Sequence, residues 1–175
     1  MPNLPTTSGS NIVARAARAL GPRWLRAVDV ATAAAHLPFA RTFVAALVAS
    51  QLVDELRGPG PWTLLVPTDE ALRATWGVDL DALFDPRDRE AIIDLAELHV
   101  ARGAVTVGPN EPAVVSTLLG VEATVGNPEL GRSDVVPVAA SNLVCSNGLV
   151  HVLGASLRPP WLGEDGRRIR GRDAA

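Results

Sequence analysis

The sequence predicts an α+β fold, and three observations lead there. Helical spacing of apolar residues dominates the first hundred positions, short strand-like runs dominate the rest, and the change of period falls at Gly103. With 175 residues and a hydrophobic share of 47%, the chain has enough apolar surface for one full core and is short for two. A single cysteine, Cys145, excludes an internal disulfide and a cysteine-rich zinc site, so the core must hold by packing.

Met1–Ser10 carries Pro, Thr, Ser and Gly without periodicity and reads as a disordered lead. In Asn11–Leu20, Asn11 can cap a helix whose Ile12, Ala16, Ala19 and Leu20 share a face, and Gly21-Pro22 ends it. A core helix is expected to start near Phe39, after Leu37-Pro38, and to run to Leu56, with Phe39, Phe43 and Leu47 at helical spacing. Gly58-Pro59-Gly60-Pro61 breaks it. Trp62–Val66 is then too short for a helix and has strand character, closed by Pro67. Thr68 is placed to cap the next helix, with Asp69 and Glu70 in its first turn where the positive helix end favours carboxylates. A further turn is expected over Asp79–Phe84. Asp85-Pro86 is a strong start signal for a helix from Arg87 to about Val100, whose Ile92, Leu95, Ala96 and His99 occupy one face. Beyond Gly103, strands are expected at Ala104–Val107, Ala113–Leu118, Gly120–Val125, Val135–Ala140, Leu143–Cys145 and Leu149–Leu153. Asn147-Gly148 is expected as the two-residue turn of a hairpin, because both positions tolerate positive φ. Pro159-Pro160 ends the folded region, with Trp161 covering the core edge.

Charge divides the chain into an acidic body and basic ends. Residues 1–28 hold four arginines and no acid, residues 29–161 hold eight arginines and sixteen acids, and residues 162–175 hold four arginines and three acids. The expected organisation is therefore a basic N-terminal extension with a helix (1–28), the folded domain (29–161) and a mobile Arg-rich tail (162–175). An acidic body argues against a nucleic-acid groove, since phosphate neutralisation supplies most non-specific affinity. No lysine is present, which excludes Schiff-base chemistry on that residue. No apolar run is long enough for a membrane helix, and Arg15 and Arg18 interrupt any secretory signal, so the expected location is cytoplasmic unless a signal has been removed.

Two segments carry a family resemblance. Thr63-Leu64-Leu65-Val66-Pro67-Thr68-Asp69-Glu70-Ala71-Leu72 and Ser146-Asn147-Gly148-Leu149-Val150-His151-Val152-Leu153 resemble the two signature segments of the fasciclin (FAS1) domain. Between them, Leu98-His99-Val100 sits where the family has its Tyr-His motif, with Leu98 in place of the tyrosine. Ala101-Arg102-Gly103 replaces the usual Val-Pro-Gly, and Asn142 stands where an aspartate is common. The resemblance spans about Asp29–Trp161. It implies a FAS1-like wedge-shaped β-sandwich with helices packed around it, with His99 near Thr68 and Asp69. It also implies a binding or adhesion module.

The candidate ligand-binding residues are Thr68, Asp69, His99, Asn147 and His151. His99 is the sharpest, because an imidazole on an apolar helix face can titrate near neutral pH and a nearby Asp69 carboxylate would orient it. Under the alternative of a hydrophobic-ligand carrier or a cofactor-free cyclase or isomerase, His99 and Asp69 would be the acid-base residues of a tryptophan-lined pocket. The bland reading is that His99 and His151 are packed, hydrogen-bonded core residues. No histidine pair has metal-ligand spacing, so neither a metal nor a cofactor is expected. Expected partners are a protein, a glycan or a hydrophobic small molecule, taken up by a monomer.

Overall fold

The computed structural model describes residues 7–76, 84–86, 89–127 and 132–162. Helices come first: α1 (Thr7–Ala19), α2 (Pro22–Leu25), α3 (Val30–Ala35), α4 (Arg41–Ala49) and α5 (Leu52–Arg57) precede β1 (Trp62–Pro67). Then follow α6 (Asp69–Trp76), α7 (Arg89–Leu98), β2 (Val100–Arg102), β3 (Ala113–Ser116), β4 (Glu122–Gly126), β5 (Val136–Cys145) and β6 (Gly148–Leu153). The strands are ordered β2-β1-β6-β5-β4-β3 in a mixed sheet, with β1 parallel to β6 and β5 antiparallel to it. A bridge between Ala101 and Thr117, with Leu118 N–H donating to the Val100 carbonyl, joins the two edge strands. The sheet thus curls so that its two edge strands meet at that bridge.

Helices wrap the sheet because their apolar faces have nowhere else to go. Phe43 and Leu47 of α4, Leu56 of α5, Leu72 and Trp76 of α6 and Leu95 and Leu98 of α7 are buried with Leu64–Val66 of β1 and Val150–Leu153 of β6. Burial of each such side chain contributes roughly 1.5–3 kcal/mol, which is what holds a domain without disulfides. The basic N-terminal segment joins the same core through Ala17 and Leu25, and α1 and α2 pack against β5. Helix α1 begins at Thr7, four residues earlier than Asn11, so part of the expected lead is helical. Residues 1–6 and the tail from residue 163 lie outside the described residues, as do residues 77–83, which include all of the expected Asp79–Phe84 turn but Phe84, and Arg87 and Asp88 of the expected helix start.

Several boundaries differ from the sequence expectation for identifiable reasons. The single core helix is two, because Gln51 takes a left-handed conformation (φ 65°) between α4 and α5. Proline at the first position of α2 starts a new turn where Gly21-Pro22 signalled only an ending. Helix α3, not expected, is capped by Asp29, whose carboxylate accepts from Thr32 N at 2.8 Å and from Thr32 Oγ1 at 2.8 Å. The two strands expected over Val135–Ala140 and Leu143–Cys145 are one bulged strand, β5, with register shifts on both sides of Ala140.

Ala104–Val107 is not a strand. Its backbone groups are taken by side chains instead: Val105 N–H donates to Thr63 Oγ1 (2.9 Å), and the Val105 carbonyl accepts from His151 Nε2 (2.8 Å). Val107 N–H donates to Asn142 Oδ1 (3.0 Å) while its carbonyl accepts from Asn142 Nδ2 (2.8 Å). Asn142 sits in the left-handed region (φ 56°), which a short polar side chain tolerates, and offers Val107 the donor and acceptor pair of a neighbouring strand. An aspartate there could supply only the acceptor. Asn142→Asp should therefore lower unfolding free energy by about 2 kcal/mol at pH 7, measured by urea denaturation, because it loses one bond and sets a charge against a carbonyl. An unchanged midpoint would refute this account of Asn142.

Candidate functional site

The first signature segment ties two helices, α4 and α6, to the end of β1. Thr68 caps α6 as expected, its Oγ1 accepting from Ala71 N at 3.0 Å. Asp69 reaches the other way: its N–H donates to the Phe39 carbonyl (2.8 Å) and its Oδ1 accepts from Thr42 N (2.8 Å) in the first turn of α4. A carboxylate satisfying an unpaired N–H at a helix start gains from the positive end of that helix. The candidate acid-base group is thus engaged in holding α4 against the start of α6.

His99 lies in the turn after α7, fully buried. Its Nδ1 is 2.8 Å from the Leu95 carbonyl, and its Nε2 accepts from Leu157 N at 3.2 Å and faces Ser156 Oγ at 3.3 Å. A backbone N–H pointing at Nε2 makes that nitrogen the acceptor, so the proton of the neutral ring sits on Nδ1 and donates to Leu95. Phe43 meets the ring edge-on with centroids 5.6 Å apart. Burial lowers the pKa from 6.5 to about 4, against a smaller upward pull from the Leu95 carbonyl. The His99 carbonyl accepts from Leu65 N, which places the residue beside the first segment. Its side chain, however, makes no hydrogen bond to Asp69, and the expected dyad is not assembled.

Asn147 anchors the second segment. Its Oδ1 accepts from Val30 N (2.9 Å), and its Nδ2 donates to the carbonyls of Leu56 (2.7 Å) and Gly58 (2.8 Å). Its own carbonyl accepts from Trp62 N, and Ser146 N–H donates to Val28. The hairpin loop is Ser146-Asn147, closed by the Cys145–Gly148 pair, not Asn147-Gly148, and positive φ is not what the sequence provides here. Gly148 is needed for close approach, since a Cβ would collide with the Trp62 carbonyl oxygen, and one on Gly60 would collide with that of Asn147. His151, also fully buried, accepts from Asn142 N at Nδ1 (3.0 Å) and donates from Nε2 to Val105; burial lowers its pKa.

The five candidates are strung along the paired strands β1 and β6, with Thr68 and Asp69 following β1, His99 bonded to it through Leu65 N, Asn147 preceding β6 and His151 within it. Leu65 stands opposite His151 in the parallel register, Pro67 opposite Leu153 and Trp62 opposite Gly148. Ser156, Thr63 and Asn142 belong to the same network and were not picked out as site residues. Ser156 Oγ receives Trp76 Nε1 at 3.2 Å, and Thr63 Oγ1 donates to the Gly103 carbonyl at 2.7 Å. A threonine inside the apolar run Trp62–Val66 is the one signal that could have marked this network, because a buried hydroxyl must find partners.

Concave surface lies beside these strands. A groove of about 630 Å³ is lined by Pro59–Pro61, Ala104, Thr106, Val144 and Ser146–Leu149. Two smaller hollows, about 380 Å³ and 320 Å³, flank the outer side of β5. None of the three is lined by Thr68, Asp69, His99 or His151. Trp76 and Trp161 pack edge to face at 5.7 Å, with Trp76 buried, so this pair belongs to the core. Burial and, to a lesser extent, the Asp29 charge push the Cys145 thiol up to about 12, which makes it a poor nucleophile. Among the described residues no cluster of His, Cys, Asp or Glu could hold a metal ion, and no helix is long and apolar enough to cross a membrane.

This arrangement is that of the FAS1 fold. A FAS1 domain pair from the insect cell adhesion molecule Fasciclin I matches with a TM-score of 0.61 at 16% identity, over 78% of this chain and 53% of that one. Residues 39–159 match the Fasciclin domain model, and the chain belongs to that family. Protein sll1483 from Synechocystis sp. is 27% identical over 91% of this chain and 86% of its own length. Human periostin is 28% identical over 67% of this chain, and mouse stabilin-2 is 32% identical over 56%. The chain spans only 14% of periostin and 4% of stabilin-2, and corresponds in size to the cyanobacterial protein.

Proposed function

We propose that this domain is a non-catalytic binding or adhesion module that engages a protein partner through the surface around its two signature segments, centred on the groove between Pro59–Pro61, Ala104–Thr106 and Val144–Leu149. One observation carries the reading: Thr68, Asp69, His99, Asn147 and His151 spend their polar atoms on internal bonds, while Ala104, Thr106, Val144 and Ser146 beside them are exposed. The motif residues then act as the rigid frame of the surface. Rigid walls with small exposed side chains suit a partner that brings its own protruding groups, since preformed surfaces lose little entropy on binding. Membership of a family that includes the insect cell adhesion molecule Fasciclin I supports the same reading. An acid-base role for His99 and Asp69 gains no support from two groups bonded to different partners, one of them fully buried.

Beads coated with the domain provide the test. Attachment to cells of its source should fall at least about fivefold with Ala104→Arg plus Thr106→Arg, because a bulky charge at an interface centre costs about 1–3 kcal/mol. The melting temperature should stay unchanged, as both positions are exposed. Equal attachment by both proteins would sink the proposal for this surface, and loss on deglycosylation of the cells would reassign the partner to a glycan.

A further inference from the structure

A second surface lies on the outer side of β5 and has a different chemistry. The hollow of about 380 Å³ there is roofed by the end of α1 and by α2, with Arg18 and Arg26 on its rim and Leu25, Leu143 and Val144 among its lining. Neither guanidinium has an ion-pair partner among the described residues, where ion pairs join Arg102 to Glu55 and Arg132 to Asp134. No acidic residue lines the hollow. Asn142, its polar neighbour, has both ends of its amide engaged by Val107, and the Asp29 carboxylate is engaged by Thr32. Val144 is 43% exposed there, an apolar side chain held in solvent next to two cations.

Arg18 can serve the helix end it occupies, since a cation in the last turn of α1 meets the negative pole. Arg26, the C-cap of the one-turn α2, stands at a helix end of its own, but neither helix end accounts for the apolar floor between the two cations. Two cations without an ion-pair partner among the described residues, at the rim of an apolar hollow, complement one kind of molecule: an anionic head joined to a hydrocarbon tail. The volume falls within the range of about 300–1,000 Å³ usual for small-ligand sites and suits a tail of moderate length.

We infer that the hollow between α1, α2 and β5 binds a single-chain anionic amphiphile, in its simplest form a medium-chain carboxylate, with its head on Arg18 and Arg26 and its tail on Leu25, Leu143 and Val144. The hollow shares Val144 with the groove proposed for the protein partner but none of its other lining residues, and the inference does not rest on that reading. Decanoate titrated into the full chain and followed by amide NMR is the direct probe. Saturable shifts are expected at Leu25, Leu143 and Val144, together with weakening by added salt as for any exposed charge pair. Arg18→Gln with Arg26→Gln should weaken binding at least about tenfold, and Val144→Glu should do likewise by setting a like charge on the tail path. Ala104→Arg with Thr106→Arg should leave decanoate affinity unchanged, which separates this site from the groove. Absence of saturable binding would overturn the inference, as would equal affinity for decanol or for the double glutamine variant. Binding to phosphatidylglycerol vesicles without binding to decanoate would overturn it too, and would assign the arginines to a membrane surface.

Discussion

Between pH 7 and pH 4 the domain should lose about 3 kcal/mol of stability through His99 alone. In the unfolded chain this imidazole titrates at 6.5, whereas burial holds it at about 4 in the folded state. At pH 7 both states are neutral and the group contributes no pH dependence. As pH falls below 6.5 the unfolded chain takes up a proton that the folded protein refuses, and stability drops by up to about 1.4 kcal/mol per pH unit until the folded group also titrates near 4. The geometry gives the refusal its cause. Nε2 is occupied by the Leu157 N–H, so a second proton would meet a donor, and no carboxylate bonds the ring to compensate. His151 adds to the loss in the same direction, its Nδ1 being held by Asn142 N. Urea denaturation at pH 7, 5.5 and 4 measures this, with His99→Gln as the comparison. Gln at position 99 should lower stability at pH 7 and flatten the slope between 6.5 and 4. Parallel curves for the two proteins would show that His99 does not carry the acid sensitivity.

That histidine also marks the limit of what the sequence discloses. Helical spacing marked His99 as buried, although α7 ends at Leu98, short of the expected Val100, and His99 lies in the turn that follows; capping chemistry placed Thr68 as a cap. The family resemblance located His99 beside the first segment, and its backbone bond to Leu65 agrees. Which atom meets which could not be read, because Ser156 and Leu157 lie almost sixty residues further along the chain. Asp69 was the natural partner on paper, yet Thr42 in the first turn of α4 is nearer to its carboxylate and leaves an N–H to fill. Ala104–Val107 misled for a related reason. Its apolar alternation matches a strand, but Thr63, Asn142 and His151 take its backbone groups from distant parts of the chain, and periodicity carries no trace of such side-chain ladders. A hairpin does join β5 to β6 as expected, but its loop is Ser146-Asn147 and not the expected Asn147-Gly148, and positive φ is not the reason for the glycine. Gly148 is there because β1 comes too close for a Cβ, a tertiary fact that looks in the sequence like a turn signal.

Asn147→Ala should cost about 3 kcal/mol, the largest effect expected of any single change in the second segment. The side chain joins α3, the end of α5 and the hairpin through three bonds of 2.9 Å or less, and alanine would leave the Val30 N–H and the Leu56 and Gly58 carbonyls without it in a partly buried corner. Each unmet group costs about 1–3 kcal/mol, reduced where water can enter. Asn147→Asp separates the contributions. It keeps an acceptor for Val30 but turns a charge toward two carbonyl oxygens, so it should be no more stable than the alanine variant at pH 7 and should recover part of the loss when acid protonates the carboxyl. Ser146→Ala, one residue away and exposed, should change stability by less than about 0.5 kcal/mol. Urea denaturation gives the magnitudes, and amide exchange at Val30 and Trp62 shows whether the corner opens locally or the domain unfolds as a whole. The local outcome bears directly on the proposed binding surface, because Asn147 lines the groove while its side chain holds the Gly58 end of the Pro59–Pro61 loop. A corner that opens by itself would reduce partner binding at temperatures where the core remains folded, whereas cooperative loss would mean that frame and groove are one unit. Equal stability of Asn147→Ala and the unaltered protein would remove Asn147 from both roles.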